Sequence, residues 1–560
     1  MFNQRNLIPC TCYLLRSSLF LLFFIISSCS QNHNEDKKVV VKKKQDVNKI
    51  TSEEIEEILS NKLNDSVLVV KHDSLYTLRY IWPLYDKEYK ALFTDNGKYN
   101  ELGDTLFSII KEARYYGLIP NDYHAAKLNT LKTILYDSKD STYDAYALAQ
   151  SDLLLSDAYF RFGAHLNKGR FYPDSLLLEW NPKKLDSNWV AVLNWGLQSK
   201  QIRKALDSLE PKHEGYVFLK KEFRKFLNET EQLNWDSVSF YNNNDTLLKQ
   251  QLKERLLITG DYDSTVSGND SIKLSKAIKS FQLDFNLETD GKLGKYTKQA
   301  LSYSKERIIQ QMEMALERWR WEPKEFPKAY FWINIPSAQL TVYEEDTVVL
   351  QSNVVVGKPE TQTPTLKSKI NYMLIYPYWN VPFSIASKEI LPAVQRDTSY
   401  LRRKNFEVIG AKGRVIDPKT IKWKKYNKDH LPFKFRQRIG DENSLGVVKF
   451  NFNNKYGVYL HDTNSKKYFK TFYRFQSHGC MRLEKYMEVA RFLIRDDTLK
   501  LPYDTLDAYF ATPEQRKILI KGKFPIYVKY YTSLADSLGL HNYIDIYRKD
   551  EQYLKLLYKE

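Results

Sequence analysis

The 560-residue chain has only four cysteines, Cys10, Cys12, Cys29 and Cys480. Three of them fall within the first 29 residues, so no disulfide framework can staple the body of the chain. Residues 1–28 contain no acid, and their longest apolar run, LFLLFFII from Leu19 to Ile26, is eight residues. A spanning helix needs ~20 apolar residues, so this run is too short to anchor the chain as one. There is no HExxH and no second cysteine pair, which removes two common zinc patterns. No basic motif interleaved with aromatics appears either, so the excess of 85 Lys and Arg over 68 Asp and Glu implies no nucleic-acid partner.

What the N-terminus does have is Arg5 and Arg16, the short apolar core, and then small residues. That is a secretory signal pattern, expected over 1–28. Its end, ISSC from Ile26 to Cys29, resembles the bacterial lipoprotein cleavage box. The resemblance implies cleavage before Cys29, lipidation of its sulfur, and a membrane partner through that lipid. The location implied is the periplasmic side of the bacterial envelope. The net charge falls from +17 to +15 once the two arginines of this segment go. Such an excess favours an anionic partner, although the lysines are scattered over solvated faces. Cys480 is then the one thiol of an exported chain.

Residues 29–50 are polar and charged and read as a flexible tether. Order is expected from Thr51, where Thr51 and Glu54 fit a capping box ahead of Ile55, Ile58 and Leu59. Residues 51–240 carry helical patterns and form an expected helical scaffold domain. One stripe is Leu106, Ile109, Ile110 and Ala113, stopped at Gly117; a longer helix ends near Gly163 or Gly169. Residues 245–302 give three short helices, through Leu248, Leu252 and Leu256, then Ala277, Phe281 and Phe285, then Thr297, Ala300 and Leu301. Asp290-Gly291 and Gly294 supply the last turn. From Ala329 the period changes to that of strands (AYFWINI, AQLTVYE, VLQSNVVVG, GVVKFNF, YGVYLHDT), giving a mainly β domain over 329–500. Residues 384–440 interrupt it as a basic, helical or loop-like insertion. A helix follows the cysteine in LEKYMEVARFLIRDD, and 501–560 is expected to pack on this domain, with a return strand from Phe524.

The stretch RFQSHGCMRLEK, Arg474–Lys485, carries the chemistry. A thiol is mostly protonated at neutral pH, so a nucleophilic cysteine wants an imidazole nearby. His478 precedes Cys480 by two residues, and His461 ends the strand YGVYL. Gly479 permits a positive φ between His478 and Cys480. If Cys480 opens the following helix, its N–H joins donors able to hold an oxyanion. Arg482 adds a positive charge suited to a carboxylate-bearing substrate. Two other readings stay open on the residues alone. Cys480 is a small packing residue, or it shares a metal with His461, His478 and Asp462.

Two resemblances bear on this. Residues 245–302 resemble the small three-helix peptidoglycan-binding domain, with Asn286 where that family usually has glycine. YLHDTNSKKYFKTFYRFQSHGCMRL closely resembles the L,D-transpeptidase catalytic domain, whose signature is a histidine, a spacer and Ser/Thr-His-Gly-Cys. ERWRWEP, NIPSAQLTVYE, VVVGKPETQTPTL and YPYWNVPFSIASKEILP match its larger periplasmic members; Met481-Arg482-Leu483 departs from the Asn often found after the cysteine. The resemblance implies a multidomain α+β chain with a helical scaffold domain, a three-helix domain and a mainly β catalytic domain carrying the inserted cap. It implies Cys480 as acylated nucleophile, His461 as base oriented by the Asp462 carbonyl, and His478 as auxiliary imidazole. Gly479 and Cys480 would supply oxyanion amides, with Tyr456 and Trp379 lining the cleft. The substrates implied are peptidoglycan peptide stems, donor and acceptor, joined by a 3–3 cross-link without metal or other cofactor. The alternatives are an L,D-carboxypeptidase at the same site and a catalytically silent wall-tethering lipoprotein.

Overall fold

The computed structural model describes residues 37–558, apart from 43, 61–67, 71–72, 86–87, 138–141, 172–187, 236–237, 239–244, 264 and 266–268. The expected signal segment, Cys29 and the first residues of the tether lie outside the described residues. Among the described residues, no helix is long and apolar enough to cross a membrane.

The N-terminal region is helical. Helix α1 runs Lys44–Ser60, and Val40–Val41 pairs antiparallel with Tyr143–Asp144. The later part of the expected tether is therefore ordered, and Thr51 sits inside a helix instead of capping one. The reason is a stripe at four-residue spacing: Val47, Thr51, Ile55 and Leu59 are all buried. Helix α2, Glu101–Lys111, is capped by the Asn100 side chain, which accepts from Gly103 N–H at 3.0 Å. Helix α3, Ala145–Lys168, is buried on nearly every face, as befits the central rod of a helical domain, and it stops at Gly169. Asp152 on α3 is fully buried. Its carboxylate accepts from the N–H groups of Leu92 (3.0 Å), Phe93 (2.8 Å) and Thr94 (2.8 Å), and from the Tyr85 and Thr94 hydroxyls.

The three expected short helices are α4 (Asp245–Ile258), α5 (Asp270–Asp284) and α6 (Lys295–Leu301). Leu252, Leu256, Ala277, Phe281 and Leu301 are buried in one core. Gln282 ties the turn: its amide donates to Asp290 Oδ1 (2.9 Å) and Thr297 Oγ1 (3.0 Å) and accepts from Gly291 N–H (2.8 Å). Asn286 ends α5 with φ of +49°, while Leu287 N–H closes on Gln282 O at 2.7 Å. Asparagine is one of the few residues that adopts this left-handed helix end readily, so it replaces glycine there without breaking the turn. The buried helix α7, Lys305–Arg320, leads into the β domain, and its Trp319 stacks on Trp332 at 5.4 Å.

The β domain is one nine-stranded sheet. In chain order the strands are β1 (Ala329–Asn334), β2 (Gln339–Glu344), β3 (Thr347–Gly357), β4 (Leu366–Ile375), β5 (Val448–Phe452), β6 (Leu460–His461), β7 (Phe475–Ser477), β8 (Met481–Leu483) and β9 (Arg516–Lys529). Their spatial order is β7-β3-β8-β6-β5-β4-β9-β1-β2, and β2 also pairs with β3, so the ladder closes on itself. The enclosed core holds Phe331, Val354, Met373, Phe450, Leu460 and Val528. Strand β9 begins eight residues before Phe524 and pairs with both β4 and β1. The segment after residue 500 thus completes the sheet; it does not merely pack against it, because Ile526 and Val528 are fully buried.

The insertion is more than helix and loop. Helical turns run from Phe383 to Arg403. They pack on a four-stranded antiparallel sheet of Trp379–Asn380, Lys434–Gln437, Phe406–Ile409 and Val415–Ile416. Val394, Val408, Trp423 and Phe435 are buried in its own core. On the other face Glu407 accepts from Arg436 Nε (2.8 Å) and Arg438 Nε (2.7 Å). Its strands are short and far apart in sequence, so their alternation hides among the basic residues.

Candidate active site

Strand register builds the site. β6 lies antiparallel to β5 with Lys449 opposite His461, and parallel to β8 with His461 opposite Arg482. Lys449, His461 and Arg482 therefore form one row across three strands, and a row in a sheet shares a face. Cys480 immediately precedes β8, and Met481 N–H donates to Tyr459 O at 2.9 Å. The cysteine thus enters a strand. The expected helix starts only at Tyr486, as α8 (Tyr486–Ile494). Met481 and Leu483 are fully buried between β6 and β3, so the sheet takes these residues before a helix can begin. The helix N-terminal donors expected at Cys480 are absent for that reason.

His461 is buried, and its Nδ1 lies 2.5 Å from Asp462 O. A carbonyl only accepts, so Nδ1 carries the proton and Nε2 is left as the basic nitrogen. Burial, and then the Arg482 charge, push its pKa down to about 3. Burial raises the Cys480 thiol above its ordinary value, opposed by hydrogen bonds from the Tyr459 backbone and phenol and by the Lys449 and Arg482 charges. At neutral pH the resting pair is a thiol and a neutral imidazole. The two cations favour the thiolate once the proton leaves.

The turn itself is tightly held. Ser477 Oγ donates to Cys480 O at 2.5 Å and accepts from Gly479 N–H at 3.1 Å. Gly479 has φ of +114°, and a Cβ there would meet nothing closer than Gln362 O at 3.5 Å. The backbone angle, not space, demands glycine. The loop after β3 buttresses the turn: Thr361 Oγ1 donates to Ser477 O and Thr363 Oγ1 to Gly479 O, each at 2.9 Å. Tyr547, from beyond β9, donates to Gly357 O at 2.5 Å.

The expected residues land in different places. His478 is exposed, and its Nε2 lies 2.5 Å from Glu389 Oε1 of the insertion, so it joins the cysteine turn to the insertion. Arg482 lies 5.6 Å from the Tyr468 ring. Trp379, at the root of the cap, lowers the Tyr459 phenol pKa against the rise that burial causes. Tyr456 is half-buried against the domain core, with Lys455 Nζ 5.1 Å from its ring. Asp462 turns its carboxylate to Val447 N–H at 3.0 Å. His461, His478, Cys480 and Asp462 thus do not converge, and among the described residues no group of three or more His, Cys, Asp or Glu is placed to hold a metal.

Sequence reasoning missed Tyr459 and Lys449. The Tyr459 phenol is among the groups that hold the Cys480 pKa down against burial, and its ring lies 5.6 Å from that of His461 and 3.8 Å from Lys449 Nζ. It stands two residues before His461, which on a strand means the same face; that period was the available signal.

Comparison with known proteins follows this geometry. Residues 328–500 match the family described as L,D-transpeptidase catalytic domain, residues 249–301 the family described as "Putative peptidoglycan binding domain", and residues 82–223 that described as scaffold domain. A protein of Haemophilus influenzae named "Putative L,D-transpeptidase" is 30% identical over 318 residues, which cover 54% of this chain and 63% of that one. The match thus spans less than two thirds of that relative. An L,D-transpeptidase from Mycobacterium smegmatis (13% identity, 36% of this chain and 58% of that one) has a TM-score of 0.18. An L,D-transpeptidase (Yku) from Stackebrandtia nassauensis (15% identity, 50% and 90%) has the same score. Scores that low carry no argument here.

Proposed function

From a chain that carries an L,D-transpeptidase catalytic domain behind a peptidoglycan-binding and a scaffold domain, we propose an enzyme that cross-links peptidoglycan stems through Cys480. The observation that carries this reading is the Lys449–His461–Arg482 row beside Cys480, with His461 held neutral on the Asp462 carbonyl. His461 Nε2 takes the thiol proton as Cys480 Sγ attacks the carbonyl of the L,D bond in a tetrapeptide stem. The tetrahedral intermediate collapses, His461 returns the proton to the leaving amine, and D-alanine departs. The thioester is then attacked by the side-chain amine of a second stem, which forms the 3–3 cross-link and frees the thiol. Tyr459 and the two cations stabilise sulfur charge, and Arg482 attracts a stem carboxylate. Gly479 shapes the turn; its amide serves the oxyanion beside that of Cys480 once it swings off Ser477 Oγ. His478 acts through the cap, and Trp379 and Tyr456 border the cleft. Lipidation at Cys29 would hold the enzyme on the periplasmic side of the envelope. The test is incubation with disaccharide-tetrapeptides followed by mass analysis of the products. Cross-linked dimers from the wild type and none from Cys480→Ala support the reading. Tripeptide alone would make the enzyme a carboxypeptidase, and no product at all would leave a silent wall-tethering protein.

A further inference from the structure

The stretch matched as catalytic domain ends at residue 500, yet a residue from well beyond it reaches the loop behind the cysteine turn. Tyr547 is buried, and its hydroxyl lies in the loop between β3 and β4, where it donates to Gly357 O at 2.5 Å and accepts from Thr363 N–H at 3.3 Å. Thr363 Oγ1 in turn accepts from Gly357 N–H at 2.8 Å and donates to Gly479 O at 2.9 Å. Each hydroxyl has a single proton, so the direction of every bond in this knot is fixed. A Cβ on Gly357 would collide with Thr361 O and Thr363 N, so the loop folds back this closely only on a glycine. Burial raises the Tyr547 pKa, which keeps the phenol a donor at neutral pH. Tyr547 is itself held by the end of the chain. Its N–H donates to the Tyr530 hydroxyl at 2.9 Å, and the two rings stack with centroids 5.7 Å apart. Tyr530 donates to Asp545 Oδ1 at 2.6 Å. Asp545 also accepts from Lys549 N–H (2.9 Å) and Asp550 N–H (3.0 Å), the first residues of helix α9, Lys549–Tyr558.

The bond to Gly479 O matters through the geometry of the peptide. Gly479 C=O and Cys480 N–H belong to one planar unit, and in a trans peptide they point in opposite directions. Pinning the oxygen on Thr363 therefore aims the Cys480 N–H. Gly479 has φ of +114° and no side chain, so the residue itself does little to stop this plane from turning. Resting on the acyl-transfer reading above, in which the Cys480 N–H serves the oxyanion, we infer that Tyr547 is a positioning residue for that donor and acts through Thr363. It touches neither sulfur nor substrate. Without the phenol, Thr363 N–H loses its buried partner, and the loop loses the bond that sets Thr363 Oγ1 against the turn. A misdirected oxyanion donor weakens the transition state more than the bound ground state, because the oxygen carries its charge only in the former.

The test follows acylation of Cys480 in the full-length protein by intact mass, over a series of carbapenem concentrations. Tyr547→Phe should lower the saturating rate about tenfold and leave the half-saturating concentration unchanged. Thr363→Val cuts the bond to the turn itself and should lower that rate roughly 10²-fold. Thr363→Ser keeps the hydroxyl and should recover most of the loss. Both losses run along one path, so the double variant Tyr547→Phe, Thr363→Val should be no slower than Thr363→Val alone. Hydrogen exchange across the cysteine turn is read on the same proteins. It should quicken in Tyr547→Phe and Thr363→Val while the helical domains keep their wild-type exchange. A wild-type rate in Tyr547→Phe, losses that multiply in the double variant, or an unaltered turn in the exchange measurement would overturn the inference. A wild type that the carbapenem does not acylate would sink the transpeptidase reading instead. The exchange of the turn then decides alone: quickened in Tyr547→Phe it supports the positioning role, and unaltered it removes it.

Discussion

Asp152 in the helical region and the Cys480–His461 pair in the sheet domain are both polar centres in buried surroundings, and they do opposite things. Burial raises the Asp152 pKa, as it raises that of Cys480. Yet the Asp152 oxygens are surrounded by five fixed donors from residues 85–94, which clamp that segment to α3. A carboxylate so saturated has no valence left for a ligand. At the other centre the imidazole has Nδ1 fixed on the Asp462 carbonyl, and the thiol is only partly covered. The difference is one of completion. A finished hydrogen-bond shell makes a strut; an unfinished one between two cations is what the proposed base and nucleophile require.

The sharpest way to break this contrast is Cys480→Ala. It should abolish the covalent adduct with a carbapenem, seen by intact mass, while leaving the melting temperature within a degree or two. His461→Ala comes next and should slow acylation about 10²–10⁴-fold, read by stopped mixing and mass analysis. Asp152→Ala should do the reverse, orphaning several buried donors. It should cost roughly 3 kcal/mol in the helical region, seen as an early calorimetric transition, with Cys480 still acylated by the β-lactam. Absence of that early transition would mean Asp152 is no strut. Gly479→Ala should cost about 1–2 kcal/mol, from the positive φ alone, and should misplace the thiol.

The smallest effect sharpens the electrostatic half. A His461 with pKa near 3 is already a neutral base at pH 5. The acylation rate should therefore stay nearly level from pH 5 up toward the raised thiol pKa, with no break near 6.5. Arg482→Gln removes one of the causes of the depression, so an acid limb should move upward in pH. A break near 6.5 in the wild type would mean the imidazole is solvated and the row does not act as described. The linked stability has the same sign. The unfolded imidazole takes a proton below about 6.5 and the folded one does not, so His461 makes the fold lose stability as pH falls from there toward 3.

Much of this was legible in the chain because it is local. The stripe Leu252, Leu256, Phe281, Leu301 marks three helices by spacing alone, and Gly169 ends α3 where a glycine was expected to stop it. His461, Gly479 and Cys480 stand out by type, since their neighbours make a poor core pattern. Asn286 was visible as a departure, and only its φ of +49° explains why the departure is tolerated. The tether was misjudged because Val47 is one apolar residue among lysines; its burial depends on α1 finding α3, not on its neighbours in sequence.

By itself, then, the sequence determined which residues are chemically capable and which face of its own strand or helix each one takes. The tertiary structure decided who meets whom. Lys449 and Arg482 flank His461 because β5 and β8 pair with β6 in one register, and a one-residue slip would turn each cation to the opposite face. That Cys480 enters a strand and that the cap folds as a sheet follow from the same cause. Side-chain period is set within a few residues, whereas pairing is set by segments tens to hundreds of residues apart, whose closure no local pattern records.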